Sequence, residues 1–81
     1  MTLTCAQLRA ARAILRLNAI DVAKRAGVSL STIQRAEKAN GPVPMIPATA
    51  DRVRAVLEEA GIVFSRGEGG RIGLQFEEPG Q

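Results

Sequence analysis

The chain contains no histidine, no tryptophan and no tyrosine, and it has a single cysteine. Without histidine, no Ser–His or Cys–His arrangement for nucleophilic catalysis is possible. The lone Cys5 forms neither an internal disulfide nor a paired-thiol zinc site. It is expected to be a small packing or surface residue rather than a reactive thiol. Glu58 and Glu59 are adjacent and face different directions on a helix, so they are not a working acid–base pair. The run Gly67-Glu68-Gly69-Gly70 lacks the Lys-Ser/Thr that completes a phosphate-binding loop. The chain is therefore expected not to be an enzyme and to carry no metal or other cofactor.

Long apolar runs are also missing. None approaches the roughly 20 residues that cross a bilayer. Residues 1–6 have no basic start and no apolar stretch after them, unlike a secretory leader. A cytoplasmic location without a membrane partner is expected. Aromatics are limited to Phe64 and Phe76. A core of Ala, Val, Ile and Leu suits closely packed helices better than a deep pocket for a large ligand. With 81 residues there is room for one domain and one modest core.

Charge is present but uneven. Residues 1–38 hold seven basic groups (Arg9, Arg12, Arg16, Lys24, Arg25, Arg35, Lys38) against two acids, Asp21 and Glu37. Residues 39–81 hold four basic groups against six acids. A localised basic face suits a polyanionic partner. An ordinary solvated surface is the alternative, and charge alone does not choose between them.

Local patterns predict four helices and a hairpin. Thr4 with Gln7 forms a capping-box pattern, followed by an apolar stripe at Leu8, Ala11, Ile14 and Leu15. Arg9, Arg12 and Arg16 lie on a second face, and the helix is expected to end near Arg16. Asn18 can cap a second helix, with Asp21 in its first turn and Lys24 and Arg25 in its last. Val22 and Ala23 point inward, and Gly27 is the natural left-handed stop. Ser29 can cap a third helix, Leu30–Lys38, with Ile33 and Ala36 inward. Turn chemistry at Ala39-Asn40-Gly41-Pro42 ends it, and a proline-stiffened loop is expected through Pro47. A fourth helix is predicted over 48–60, with Val53, Val56 and Leu57 buried and Gly61 at its end. Residues 62–65 read as a strand. Residues 71–76 alternate, with Ile72, Leu74 and Phe76 on one face, and five residues separate the runs. That is a β-hairpin pattern. Residues 77–81 are expected to fray.

The most informative segment is 19–38. Ala23 is small enough for two helices to approach, Gly27 supplies a positive-φ turn, and Ile33 buries the next helix. Residues 4–57 resemble the Cro/C1-type, or XRE, family of bacterial and phage helix-turn-helix regulators. The resemblance rests on Leu8-Arg9-Ala10-Ala11-Arg12, on Asn18 with Val22-Ala23 and Ala26-Gly27-Val28-Ser29, and on Thr32-Ile33 and Glu37. It implies a mainly α, lambda-repressor-like helix-turn-helix domain over residues 1–61, carrying a C-terminal β-hairpin over 62–76. It also implies a transcriptional regulator that binds double-stranded DNA, with 30–38 as the recognition helix in the major groove.

On that reading the base-contact candidates are Ser29, Leu30, Ser31, Gln34 and Arg35. Arg35 suits guanine O6/N7, Gln34 suits adenine N6/N7, and Leu30 suits a thymine methyl. Asn18, Thr32 and Lys38 are phosphate candidates. Solvated surface is the alternative for Gln34 and Arg35, and the better reading for Lys24 and Arg25. The resemblance further implies a structural ion pair between Arg12 and Glu37. Two features depart from the family. Ala19 stands where a phosphate-binding Gln is common, and residues 39–48 hold no basic group. Both raise the importance of dimerisation. A homodimer through Ile62, Phe64, Ile72, Leu74 and Phe76 is expected, unless the hairpin only covers its own fourth helix. The rival functional reading is a module that binds a protein partner, antitoxin-like or docking on polymerase or a phage factor, with weak DNA binding.

Overall fold

The computed structural model describes residues 3–66 and 72–76. Four helices come first: α1 (Cys5–Leu15), α2 (Ala19–Ala26), α3 (Leu30–Lys38) and α4 (Pro47–Glu59). Two strands follow, β1 (Ile62–Arg66) and β2 (Ile72–Phe76). The result is a small, mainly helical domain.

Each of the first three helices begins at a side-chain cap. Thr4 Oγ1 accepts from the Gln7 amide at 3.1 Å, and Gln7 Oε1 accepts from the Thr4 amide at 2.9 Å. Two otherwise unpaired backbone donors are thereby satisfied at the start of α1. Asn18 Oδ1 accepts from the Asp21 amide at 3.0 Å, and Ser29 Oγ from the Thr32 amide at 3.2 Å. Helix α4 starts differently. Ile46 is its N-cap and gives no side-chain hydrogen bond, while Pro47 occupies the first turn. The expected loop through Pro47 is thus one residue too long: proline's fixed φ and missing N–H suit the first helical position.

The helix ends follow backbone chemistry. Gly27 takes φ 70, and the Val28 amide closes back on the Ala23 carbonyl at 3.0 Å. At the end of α1 the same left-handed conformation falls on Arg16, with φ 57 and ψ 33.

The buried residues form one cluster fed by all four helices and β1. Leu8 and Ala11 come from α1; Val22, Ala23 and Ala26 from α2; Ile33 and Ala36 from α3; Val53, Val56 and Leu57 from α4. The alanines let α2 and α3 come close. Ile14 does not join them; it is 44% exposed. At about 100° per residue it sits roughly 120° from Leu8, off the stripe that Leu8, Ala11 and Leu15 share.

One connection was not anticipated. Thr4 forms an antiparallel backbone bridge with Pro42, in the segment after α3. The Cys5 amide donates to the Gly41 carbonyl at 2.9 Å, and the Val43 amide donates to the Leu3 carbonyl at 3.0 Å. This strap buries Leu3, Cys5 and Val43 and anchors the proline-rich loop to the start of α1.

Strands β1 and β2 pair antiparallel, with Ile62 opposite Phe76 and Phe64 opposite Leu74. Alternation along β1 puts Ile62 and Phe64 in the core and Val63 outside. Arg54 of α4 lies over the Phe64 ring at 5.2 Å and reaches Glu58 at 3.5 Å, joining α4 to β1. No helix among the described residues is long and apolar enough to cross a membrane.

Candidate nucleic-acid interface

Helices α2 and α3 pack on each other across the turn Gly27-Val28-Ser29. The inward residues of α3, Ile33 and Ala36, leave the opposite side of the helix free. Leu30, Ser31, Gln34, Arg35 and Lys38 are all exposed. On a helix with about 100° per residue they fall within an arc of roughly 140°, centred opposite Ile33 and Ala36. The exposed face therefore carries a methyl-rich side chain, a hydroxyl, an amide, a guanidinium and an ammonium in sequence along one ridge.

Ser29 and Thr32 sit at the head of that ridge. Besides its capping bond, Ser29 Oγ lies 2.8 Å from Thr32 Oγ1 and 3.1 Å from Ser31 Oγ. The three hydroxyls orient one another, and Ser29 is foremost a cap. Thr32 is half-buried and Ser29 exposed. Asn18 is likewise a cap. Its Oδ1 accepts from the Asp21 amide, and its Nδ2 donor has no partner among the described residues; Asn18 is exposed. Lys24 and Arg25 are exposed in the last turn of α2.

The far end of α3 is held by α1. Arg12 Nε lies 2.9 Å from Glu37 Oε2, and Arg12 Nη1 donates to the Leu17 carbonyl at 3.1 Å. One guanidinium thus ties the last turn of α3 to the α1–α2 corner. Arg9 acts beside it. Its Nη1 donates to the Glu37 carbonyl at 2.7 Å and to the Ala39 carbonyl at 3.1 Å.

Sequence reasoning left Arg9 without a role. Its signal is structural: α3 ends at Ala39 in an extended conformation rather than at a left-handed glycine. Its last carbonyls then need a side-chain donor. Arg9 stands three residues before Arg12, on the same side of α1.

The residues proposed for a dimer are distributed unevenly. Ile62 and Phe64 are only 2% and 8% exposed, covered within their own chain. Phe76 is 41% exposed. The side chains of Ile72 and Leu74 lie outside the described residues. Val63, which the sequence reading passed over, is 39% exposed.

Among the described residues no group of three or more His, Cys, Asp or Glu gathers to hold a metal. An open groove of about 210 Å³ lies between the strap and α4, lined by Leu3, Val43, Met45, Ala50 and Arg54 among others, with no residue of α3. No protein-family model matches the chain, and no curated protein matches it.

Proposed function

We propose that this protein binds double-stranded DNA sequence-specifically and regulates transcription, as a Cro/C1-type helix-turn-helix regulator of bacterial or phage kind working in the cytoplasm. The observation that carries the reading is the exposed ridge Leu30, Ser31, Gln34, Arg35 and Lys38 on a helix whose other face is locked into the core. A B-DNA major groove about 12 Å wide admits one α-helix, and these side-chain types match the donors, acceptors and methyl groups displayed there. Arg35 reads guanine, Gln34 reads adenine, Ser31 bonds either edge, and Leu30 meets a thymine methyl. Ser29 keeps α3 capped and contributes its hydroxyl at the helix start. Asn18 Nδ2, Thr32 and Lys38 grip phosphates, which position the helix without specifying sequence.

Two copies act together. A two-fold homodimer sets its two recognition helices about ~34 Å apart, one turn of DNA. The burial of Ile62 and Phe64 moves the proposed contact to the outer face of the two strands, at Val63.

Salt dependence of duplex binding is the test. Binding that releases counterions falls linearly in log K against log salt, with a slope of about −0.9 per phosphate contacted. Affinity that does not respond to salt, or no binding to any duplex recovered by selection from a random library, contradicts the proposal.

A further inference from the structure

Arg16 is the one residue other than glycine with positive φ among the described residues. A side chain there is strained, because Cβ crowds the following carbonyl. Glycine removes that strain, and it already serves the equivalent turn at the end of α2, at Gly27. Arg16 makes no hydrogen bond or ion pair through its side chain among the described residues, and it is exposed. No side-chain contact among the described residues repays the strain.

Its position supplies a reason. The next residue, Leu17, is bound through its carbonyl to Arg12, whose Nε holds Glu37. The carbonyl next to the Arg16 corner and the Glu37 carboxylate in the last turn of α3 therefore share one guanidinium. Arg9 is bound to that same turn, and Lys38 belongs to it. Of the four cations at this end, only Arg12 is balanced by an acid among the described residues. Arg9 donates to neutral carbonyls, so its charge stands, and Arg16 and Lys38 have no ion-pair partner among the described residues. Three cations without an acidic partner among the described residues make this end of α3 a favourable seat for a polyanion. The loop that follows, 39–48, has no cation at all.

We propose that Arg16 is a nucleic-acid phosphate contact, forming with Arg9 and Lys38 a basic edge at the C-terminal end of α3 that grips the DNA backbone. This rests on the reading of α3 as the recognition helix. The strained corner is kept because the guanidinium is needed outside the fold.

The experiment compares the full chain with its Arg16→Gly and Arg16→Lys variants, on a mixed-sequence duplex of about 20 base pairs, by fluorescence anisotropy across a salt series, and by thermal unfolding. Arg16→Gly is expected to raise the thermal midpoint by about 2–6 °C. It is also expected to weaken duplex binding about 3–10-fold and to make the log K against log salt slope shallower by about 0.9. Arg16→Lys is expected to restore affinity and slope without the gain in stability. A more stable Arg16→Gly chain that binds with parental affinity and slope overturns the proposal while leaving the DNA reading intact. So does an Arg16→Lys chain that stays as weak as the glycine variant. A parent chain that binds no duplex overturns both.

Discussion

Arg12 of α1 and Glu37 of α3 meet Nε to Oε2 at 2.9 Å, with their side chains 30% and 13% exposed. That burial lies between two regimes. Exposed pairs contribute about 0.2–1 kcal/mol, and breaking a buried one costs about 3–5 kcal/mol. Glu37→Ala is expected to lower stability by about 1–3 kcal/mol in urea unfolding. A double-mutant cycle with Arg12→Ala should give a coupling of about 1 kcal/mol. Additive losses would mean that the two side chains act separately, Arg12 through the Leu17 carbonyl alone.

Gly27 ends α2 at φ 70, and a Cβ built there meets no atom within 4 Å. The need for glycine is thus conformational and not a matter of space. Gly27→Ala is expected to destabilise by about 1 kcal/mol, and Gly27→Asn by less, since asparagine tolerates the left-handed region. Equal losses from both substitutions would point to crowding instead.

Neighbouring residues of β1 should respond in opposite ways. Ile62→Ala removes a side chain that is 2% exposed and is expected to cost about 2–4 kcal/mol. Val63→Glu on the outer face is expected to leave stability within about 0.5 kcal/mol. It should also convert the proposed dimer to monomer in sedimentation velocity. A parent chain that sediments as a monomer, or a Val63→Glu chain that remains dimeric, removes Val63 from the interface.

Arg35 is exposed, at one margin of the α3 ridge. As a base contact, Arg35→Ala should weaken binding to the best selected duplex by about 1–3 kcal/mol and relax preference at one base position. Uniform weakening over all sequences would make it a phosphate contact.

Much of the helical frame is legible from neighbours in the chain. Ser29 before Leu30 and the Ala39-Asn40-Gly41-Pro42 turn bracket α3 because caps and turns act within a few residues. The start of α4 was displaced because Pro47 reads equally well as loop or as first helical turn. The strap between Leu3–Cys5 and Gly41–Val43 left no pattern to read. It is backbone pairing across nearly forty residues, indifferent to most side chains. The same limit hid Arg9, whose partners are carbonyls 28 and 30 positions away. Ile14 follows Ala11 at helical spacing and so reads as part of the stripe, but it lies about 120° from Leu8 and is exposed. At the candidate site, the spacing of Leu30, Ser31, Gln34, Arg35 and Lys38 put them on one ridge. The capping roles of Ser29 and Asn18 are equally legible in the sequence, and the hydrogen bonds bear them out.

The most direct test is to map backbone amide shifts of the full chain, by NMR, as a selected duplex is added. The account predicts the largest changes at Ser31, Gln34, Arg35 and Lys38, smaller ones at Arg16 and Asn18, and little at Val53 or Leu57 within α4. Shifts gathered on the strap and α4, with the α3 ridge unmoved, would contradict it.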